Sequence, residues 1–239
     1  MSTQELSSRF KWSKIGMLWP LISFTGYCLA VSVVFSTIFK MGLKSYLPFL
    51  ATGVIAWNLI QSFLNEGINL FTSFKGIILN IRVPFLLFHL ILANRLLIIF
   101  SMQLIVVLFV KVLFSDKFIP GIFYLPLSLA IVCFVGVNLS RILAIIGVIL
   151  KDLVHVMPTI TVILSLITPV LYPIDLLKDY TWVYIYNPFF YLVTIVREPL
   201  LGASPRWSYL LICFILGVCF LFLAKILEDK LARKIVPLI

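Results

Sequence analysis

Charge is scarce in this chain. Only 12% of its 239 residues are charged while 62% are hydrophobic, and the mean hydropathy is +1.16; soluble domains carry about 25% charged residues. That balance excludes a water-soluble enzyme. Histidines number two, and neither His89 nor His155 has a spaced carboxylate or second histidine, so no metal centre is expected. Cys28, Cys133, Cys213 and Cys219 form no C-x-x-C pair and fall within apolar runs, which argues against a disulfide framework or a zinc site and leaves them as small packing residues. The chain has no G-x-x-x-x-G-K-[ST] and no soluble block long enough for a nucleotide domain, so any ATP use must come from a partner chain. The formal net charge of +10 would suggest nucleic acid in a soluble domain. In a chain this apolar it is explained by cationic anchoring at the cytoplasmic face, and no nucleic-acid partner is expected.

Apolar length is what the chain has in abundance. Six runs, near 17–39, 46–73, 85–114, 120–150, 154–172 and 207–226, are long enough to cross a bilayer. The 25 residues 15–39 carry no charge, where roughly 20 suffice for the ~30 Å hydrocarbon core. Each run must be helical, because an isolated strand in lipid leaves its backbone polar groups unpaired. The expected fold class is an all-α polytopic membrane protein with six transmembrane helices in a single domain, 1–239. An even number of spans puts both termini on one side. Taking that side as cytoplasmic places ten of the nineteen cations inside: Arg9, Lys11, Lys14, Lys75, Arg82, Lys151, Lys225, Lys230, Arg233 and Lys234. Six fall outside (Lys40, Lys44, Lys117, Lys178, Arg197, Arg206), and Arg95, Lys111 and Arg141 lie within spans; the excess inside supports the orientation.

Two segments are too short to cross. Within 173–206, the apolar part 186–196 has about half the length of a span. A seventh crossing would reverse the charge bias, so a re-entrant or interfacial hairpin on the outer leaflet is expected, with Pro188 and Pro199 suiting a broken path. In the first dozen residues, cations alternate with Leu6, Phe10 and Trp12, the pattern of a short helix lying in the inner interface over 1–14. Helices one to five then occupy 15–172, and helix six with a cytoplasmic tail occupies 207–239.

Glu66, Arg95 and Arg141 are the charges deepest in apolar sequence. At ~1.5 Å per helical residue each stands about 14–17 Å from the inner boundary, so they could meet at one level. Three readings stay open: an ion pair and satisfied neighbour locking helices two, three and four, with Asn65 and Asn94 adding hydrogen bonds; a surplus cation facing a cavity for an anionic substrate group; or side chains snorkelling to the interface. Phe24, Tyr27, Val31 and Phe35 recur on one face of the first helix, and Tyr172 with Asn187, Pro188, Phe189, Phe190 and Tyr191 adds aromatics toward the outer side. These are either lipid-facing packing or the lining of a conduit whose rings stack on sugar C–H surfaces. Gly136, Ser140 and Ala144 form a small-residue stripe that lets another helix approach closely. Asp175 and Asp179, with Lys178 between them, suit turn or capping roles better than acid–base work.

Strings spread over nearly the whole chain carry a resemblance: R-F-K-W-S-K-I-G-M-L-W at 9–19, Y-L-P-F-L-A-T-G-V-I-A-W-N at 46–58, N-E-G at 65–67, I-R-V-P at 81–84, T-P-V-L-Y-P at 168–173, N-P-F from Asn187 and R-E-P-L-L-G at 197–202. In order and spacing these resemble the permease subunit of ABC type-2 polysaccharide exporters, especially those exporting lipid-linked O antigen. The resemblance implies a homodimer of six-helix permeases in the bacterial inner membrane, joined to two copies of a cytoplasmic ATPase subunit that binds ATP and Mg. It implies no cofactor and no catalytic residue on this chain, and a substrate that is an undecaprenyl-pyrophosphate-linked glycan. It further implies that Arg9, Lys11, Lys14 and Gly16 admit the pyrophosphate, with Ile15 standing where Leu is more typical. ATPase contacts would lie at Lys75, Arg82, Lys151 and Asp152, and an outer gate at Pro188, Phe189, Phe190, Tyr191 and Arg197. The related alternatives are a capsule or teichoic-acid permease. An ion-coupled carrier, with Glu66 titrating against Arg95 or Arg141, would more often show inverted repeats, which are not visible here. An intramembrane enzyme would need clustered carboxylates or histidines, which this chain lacks.

Overall fold

The computed structural model describes residues 18–81, 83–114 and 120–238, so the basic N-terminal segment with Arg9, Lys11, Lys14 and Gly16, and likewise Arg82, lies outside the described residues. All regular structure among the described residues is helical, as expected: α1 Trp19–Ile38, α2 Leu43–Gly67, the short α3 Leu70–Ser73 and α4 Lys75–Asn80, α5 Phe85–Phe114, α6 Leu125–Ile149, α7 Leu153–Ile167, α8 Trp182–Ile185, α9 Pro188–Leu201 and α10 Trp207–Leu238. Short 3-10 turns cover Pro120–Tyr124 and Ile174–Tyr180.

Five of the helices, α1, α2, α5, α6 with its leading turn, and α10, are long and apolar enough to cross a bilayer. The expected fifth crossing, 154–172, is shorter than its apolar run: α7 stops at Ile167 after 15 residues, about 22 Å at ~1.5 Å per residue. Thr168 is extended (φ −85°, ψ 130°), in keeping with Pro169 after it, whose ring disfavours the helical conformation for the residue before it. The second run also divides, since α2 ends at Gly67 and the remainder folds into α3 and α4. At the other extreme, the expected tail after 226 continues α10 without interruption.

Helix α2 is the hub, packing against α1, α5, α6, α7 and α9 and buried along most of its length. Small residues make that possible. The buried stripe of α1 is Phe24, Cys28, Ser32 and Ser36, one position removed from the aromatic face read in sequence. It turns small groups at i+4 spacing inward and leaves Tyr27 half exposed. On α6, Gly136 meets the Phe63 ring and Ser140 meets Gly67, so the small-residue stripe is where α2 and α6 approach. One turn further, a Cβ on Gly147 would overlap the Ile68 carbonyl oxygen. Gly147→Leu is therefore expected to destabilise the protein by about 1–3 kcal/mol, because a packed interior resists added volume. Thermal melting in detergent checks this, with Gly76→Ala, where nothing lies within 4 Å of the added carbon, expected to show no loss.

The segment read as an outer-leaflet hairpin holds a buried helix. Asn187 caps α9 by accepting from the Phe189 N–H at 3.0 Å, Pro188 occupies its first turn, and Gly202 ends it in the left-handed conformation (φ 98°). Its residues 192–197 are all buried, against α2, α6 and α10.

Candidate functional site

A groove of about 600 Å³ opens along the face shared by α1, α2, α5 and α7. Phe24 and Tyr27 line it from α1; Val54, Trp57, Asn58 and Gln61 from α2; Gln103 from α5; Ser165 and Leu166 from α7; and Val170 and Leu171 from the unwound chain that follows. Of the expected conduit aromatics, Phe24 and Tyr27 are therefore in the wall. Phe35 instead packs on Phe39, with ring centroids 5.5 Å apart. Tyr172 stands beside the wall and donates its hydroxyl to the Leu166 carbonyl at 2.8 Å. Trp57, which sequence reading did not single out, joins the groove to α9 through an edge contact with Phe189, 6.0 Å between centroids.

The unwound residues 168–171 pose a physical problem, because carbonyls freed from a helix within a membrane need partners. Side chains from two other helices supply them. Arg197 of α9 donates to the Pro169 carbonyl at 2.9 Å and to the Val170 carbonyl at 2.6 Å. The Tyr46 hydroxyl of α2 donates to the Leu171 carbonyl. Asn187 donates to the Thr168 hydroxyl at 2.9 Å. The Arg197 guanidinium is wedged between the Phe49 ring, 4.4 Å from its centroid, and Gly53, where a Cβ would overlap Nη2. Arg197 is 5% exposed, so it is not a free loop cation but an internal brace of the groove wall. Among the other expected gate residues, Phe190 is buried, Phe189 and Tyr191 are partly buried and Pro188 is exposed. Tyr191 donates to the Ile185 carbonyl at 2.7 Å and packs edge-on against Tyr209.

The three deep charges do not converge. Arg95 pairs with Glu66, joining α5 to α2. Arg141 turns to α10, where Nε and Nη2 grip the Glu228 carboxylate at 2.8 and 2.6 Å while Nη1 donates to Asn138 Oδ1 at 2.9 Å. The expected ion pair thus forms between Glu66 and Arg95, while Arg141 makes a separate lock with Glu228 rather than joining them. Asn65 reaches α7 instead, donating to the Thr161 hydroxyl at 3.3 Å. Lys111, in the last turn of α5, is buried and donates to the Leu201 carbonyl at 3.2 Å, tying the end of α9 in place. Neither lock contributes to the groove, and none of the described residues lining it is charged.

At the end of the bundle where α4 begins and α6 turns into α7, Lys75 and Lys151 line one cavity of about 390 Å³ with Asn69, Thr72, Val154 and His155. The two connections expected to receive a partner thus lie side by side, and Asp152 is exposed at the start of α7 without a capping bond. Gly147, held against Ile68, lines the same cavity and ties it to the α2–α3 corner.

No family model matches the chain. Among curated proteins, an O-antigen export system permease protein RfbA of Myxococcus xanthus is 22% identical over 178 residues, covering 74% of this chain and 68% of that protein. Two proteins of the same name from Klebsiella pneumoniae are each 21% identical over 239 residues, covering 98% of this chain and 91% of theirs. The chain is similar to O-antigen export permeases over almost its whole length. Glu66, Arg95, Arg141 and Glu228 are held in ion pairs, Arg197 and Lys111 on carbonyls, and the groove is lined by aliphatic, aromatic, hydroxyl and carboxamide groups. The residues that sequence reading missed, Asn58, Gln61, Gln103, Tyr46 and Glu228, share one signal: a polar group within or just beyond an apolar run, where it needs a partner.

Proposed function

We propose that this chain is the membrane subunit of an ATP-driven ABC exporter, moving a lipid-linked polysaccharide of the O-antigen type outward across the bacterial inner membrane. The observation that carries the proposal is an uncharged, aromatic and amide-lined groove at bilayer depth in a chain similar throughout to O-antigen export permeases. A hydrated glycan cannot dissolve in hydrocarbon, so it needs a protein-lined route. One copy supplies a groove open along its length, and a second copy facing it would close the path. The lipid pyrophosphate stays at the inner interface, where Arg9, Lys11 and Lys14, the cations that precede the first span, would meet it.

Energy enters from a separate ATPase subunit that binds ATP with Mg and docks where Lys75, Lys151 and Asp152 present their exposed side chains. The connections there are short, so a push on that corner reaches α2 and α6 with little slack. An ion-coupled carrier would be better served by a titrating carboxylate in the pathway; Glu66 is engaged by Arg95 outside the groove lining.

The test is copurification with the companion ATPase and measurement of surface polysaccharide. Loss of either subunit is expected to abolish surface glycan, and Lys75→Glu with Lys151→Glu to lower recovery of the ATPase at least tenfold at normal permease levels. Transport by the purified chain alone in vesicles, without nucleotide, would refute the proposal.

A further inference from the structure

Three carboxamides meet in the groove with no hydrogen-bond partner among the described residues. Asn58 and Gln61, one turn apart on α2, face Gln103 of α5, and the same three also line a smaller adjoining cavity of about 130 Å³ with Ser62. Gln103 is 7% exposed. None of the three side chains hydrogen-bonds to another described residue, although Asn65, the next carboxamide along α2, is bonded to Thr161. Each lies within about 10 Å of the midpoint of its helix at ~1.5 Å per residue, where hydrocarbon offers no partners. Leaving carboxamides unpaired against lipid is costly, so the arrangement calls for a polar occupant.

The chemistry of the wall narrows that occupant. A carboxamide offers two N–H donors and an acceptor oxygen, matching a hydroxyl, which both donates and accepts. Trp57 and Tyr27 on the same wall provide ring faces for C–H surfaces. A carboxylate or phosphodiester at this depth would need a cationic partner, and the described lining residues include none. We propose that Asn58, Gln61 and Gln103 form an intramembrane subsite for the hydroxyl groups of uncharged sugar residues, and that it selects neutral glycan over polyanionic glycan on the same lipid carrier. This rests on the export function proposed above and narrows its substrate class.

The experiment uses the complete permease–ATPase complex in cells supplying one of two polymers on polyprenyl pyrophosphate: a neutral polysaccharide, or one with a uronate in each repeat. The wild-type complex is expected to export the neutral polymer at least tenfold faster. Gln61→Leu with Gln103→Leu is expected to cut neutral export at least tenfold at unchanged membrane level and ATPase copurification, while Gln103→Asn retains most of it. Equal export of both polymers by the wild-type complex overturns the subsite, and so does full neutral export by the leucine variant. Should the leucine variant fail to assemble, the comparison of polymers in the wild type decides alone. Efficient crosslinking of two copies through Asn58→Cys that leaves export intact would make this face a closed seam and also overturn it. Export that proceeds without the ATPase would instead remove the broader function, with the subsite still judged by the comparison of polymers.

Discussion

Replacing Arg197 by Met is expected to abolish export and to lower stability by several kcal/mol. The substitution keeps an unbranched side chain of similar reach but strips the donors from the Pro169 and Val170 carbonyls. Each buried carbonyl left unpaired costs about 1–3 kcal/mol, and neighbouring water is scarce at this depth. The Arg197→Lys variant separates charge from geometry. An ammonium retains the positive charge but not the planar fork that serves two successive carbonyls, and it stacks less well on Phe49. It should fold and reach the membrane, with export down about tenfold, because Val170 and Leu171 form part of the groove wall. Gly53→Ala provides an independent check from the opposite side: the added methyl overlaps the guanidinium and should reproduce the lysine phenotype. Thermal melting of the purified complex and surface glycan read in parallel test the set, and wild-type export by Arg197→Met would show that the brace is dispensable.

The contrast between what is legible in sequence and what is not follows from how far each interaction reaches. Apolar length is a local property, so all-helical crossings were readable from composition; the break at Thr168–Pro169 was not, since Pro48, Pro158 and Pro199 lie inside helices without ending them. Nor were the partners of that break. Arg197 and Tyr46 lie 27 to 28 and 125 residues from the carbonyls they serve, and no periodicity records such a distance. Counting charges by loop put Arg197 outside because α9 is too short to read as a crossing, although it is buried by three neighbouring helices. The groove was half legible: Phe24 and Tyr27 announced themselves as aromatics, whereas Asn58, Gln61 and Gln103 carry no charge and escaped a search for deep ions. Asn65 and Glu66 were recognisable as needing partners, and they found them in Thr161 and Arg95.

Breaking the Arg141–Glu228 lock should be the largest stability effect outside the groove. Its geometry is a two-pronged guanidinium–carboxylate contact, with the remaining Nη1 donor used by Asn138, so nearly every polar atom of the cluster is engaged. Arg141 is 7% exposed, and removing one partner of a buried pair strands the other charge at a cost of about 3–5 kcal/mol. Either Arg141→Met or Glu228→Gln is thus expected to lower the melting temperature sharply. The double change, Arg141→Met with Glu228→Met, should recover much of that loss, since apolar replacement of a buried pair is often close to neutral. The site also explains why Glu228 escaped notice: the apolar run of the last span ends near residue 226, yet α10 continues and brings the carboxylate onto α6. Because the pair lies outside the groove lining, the double variant should still export glycan. A double variant as unstable as the singles would mean that α6 and α10 depend on the charges themselves rather than on their mutual satisfaction.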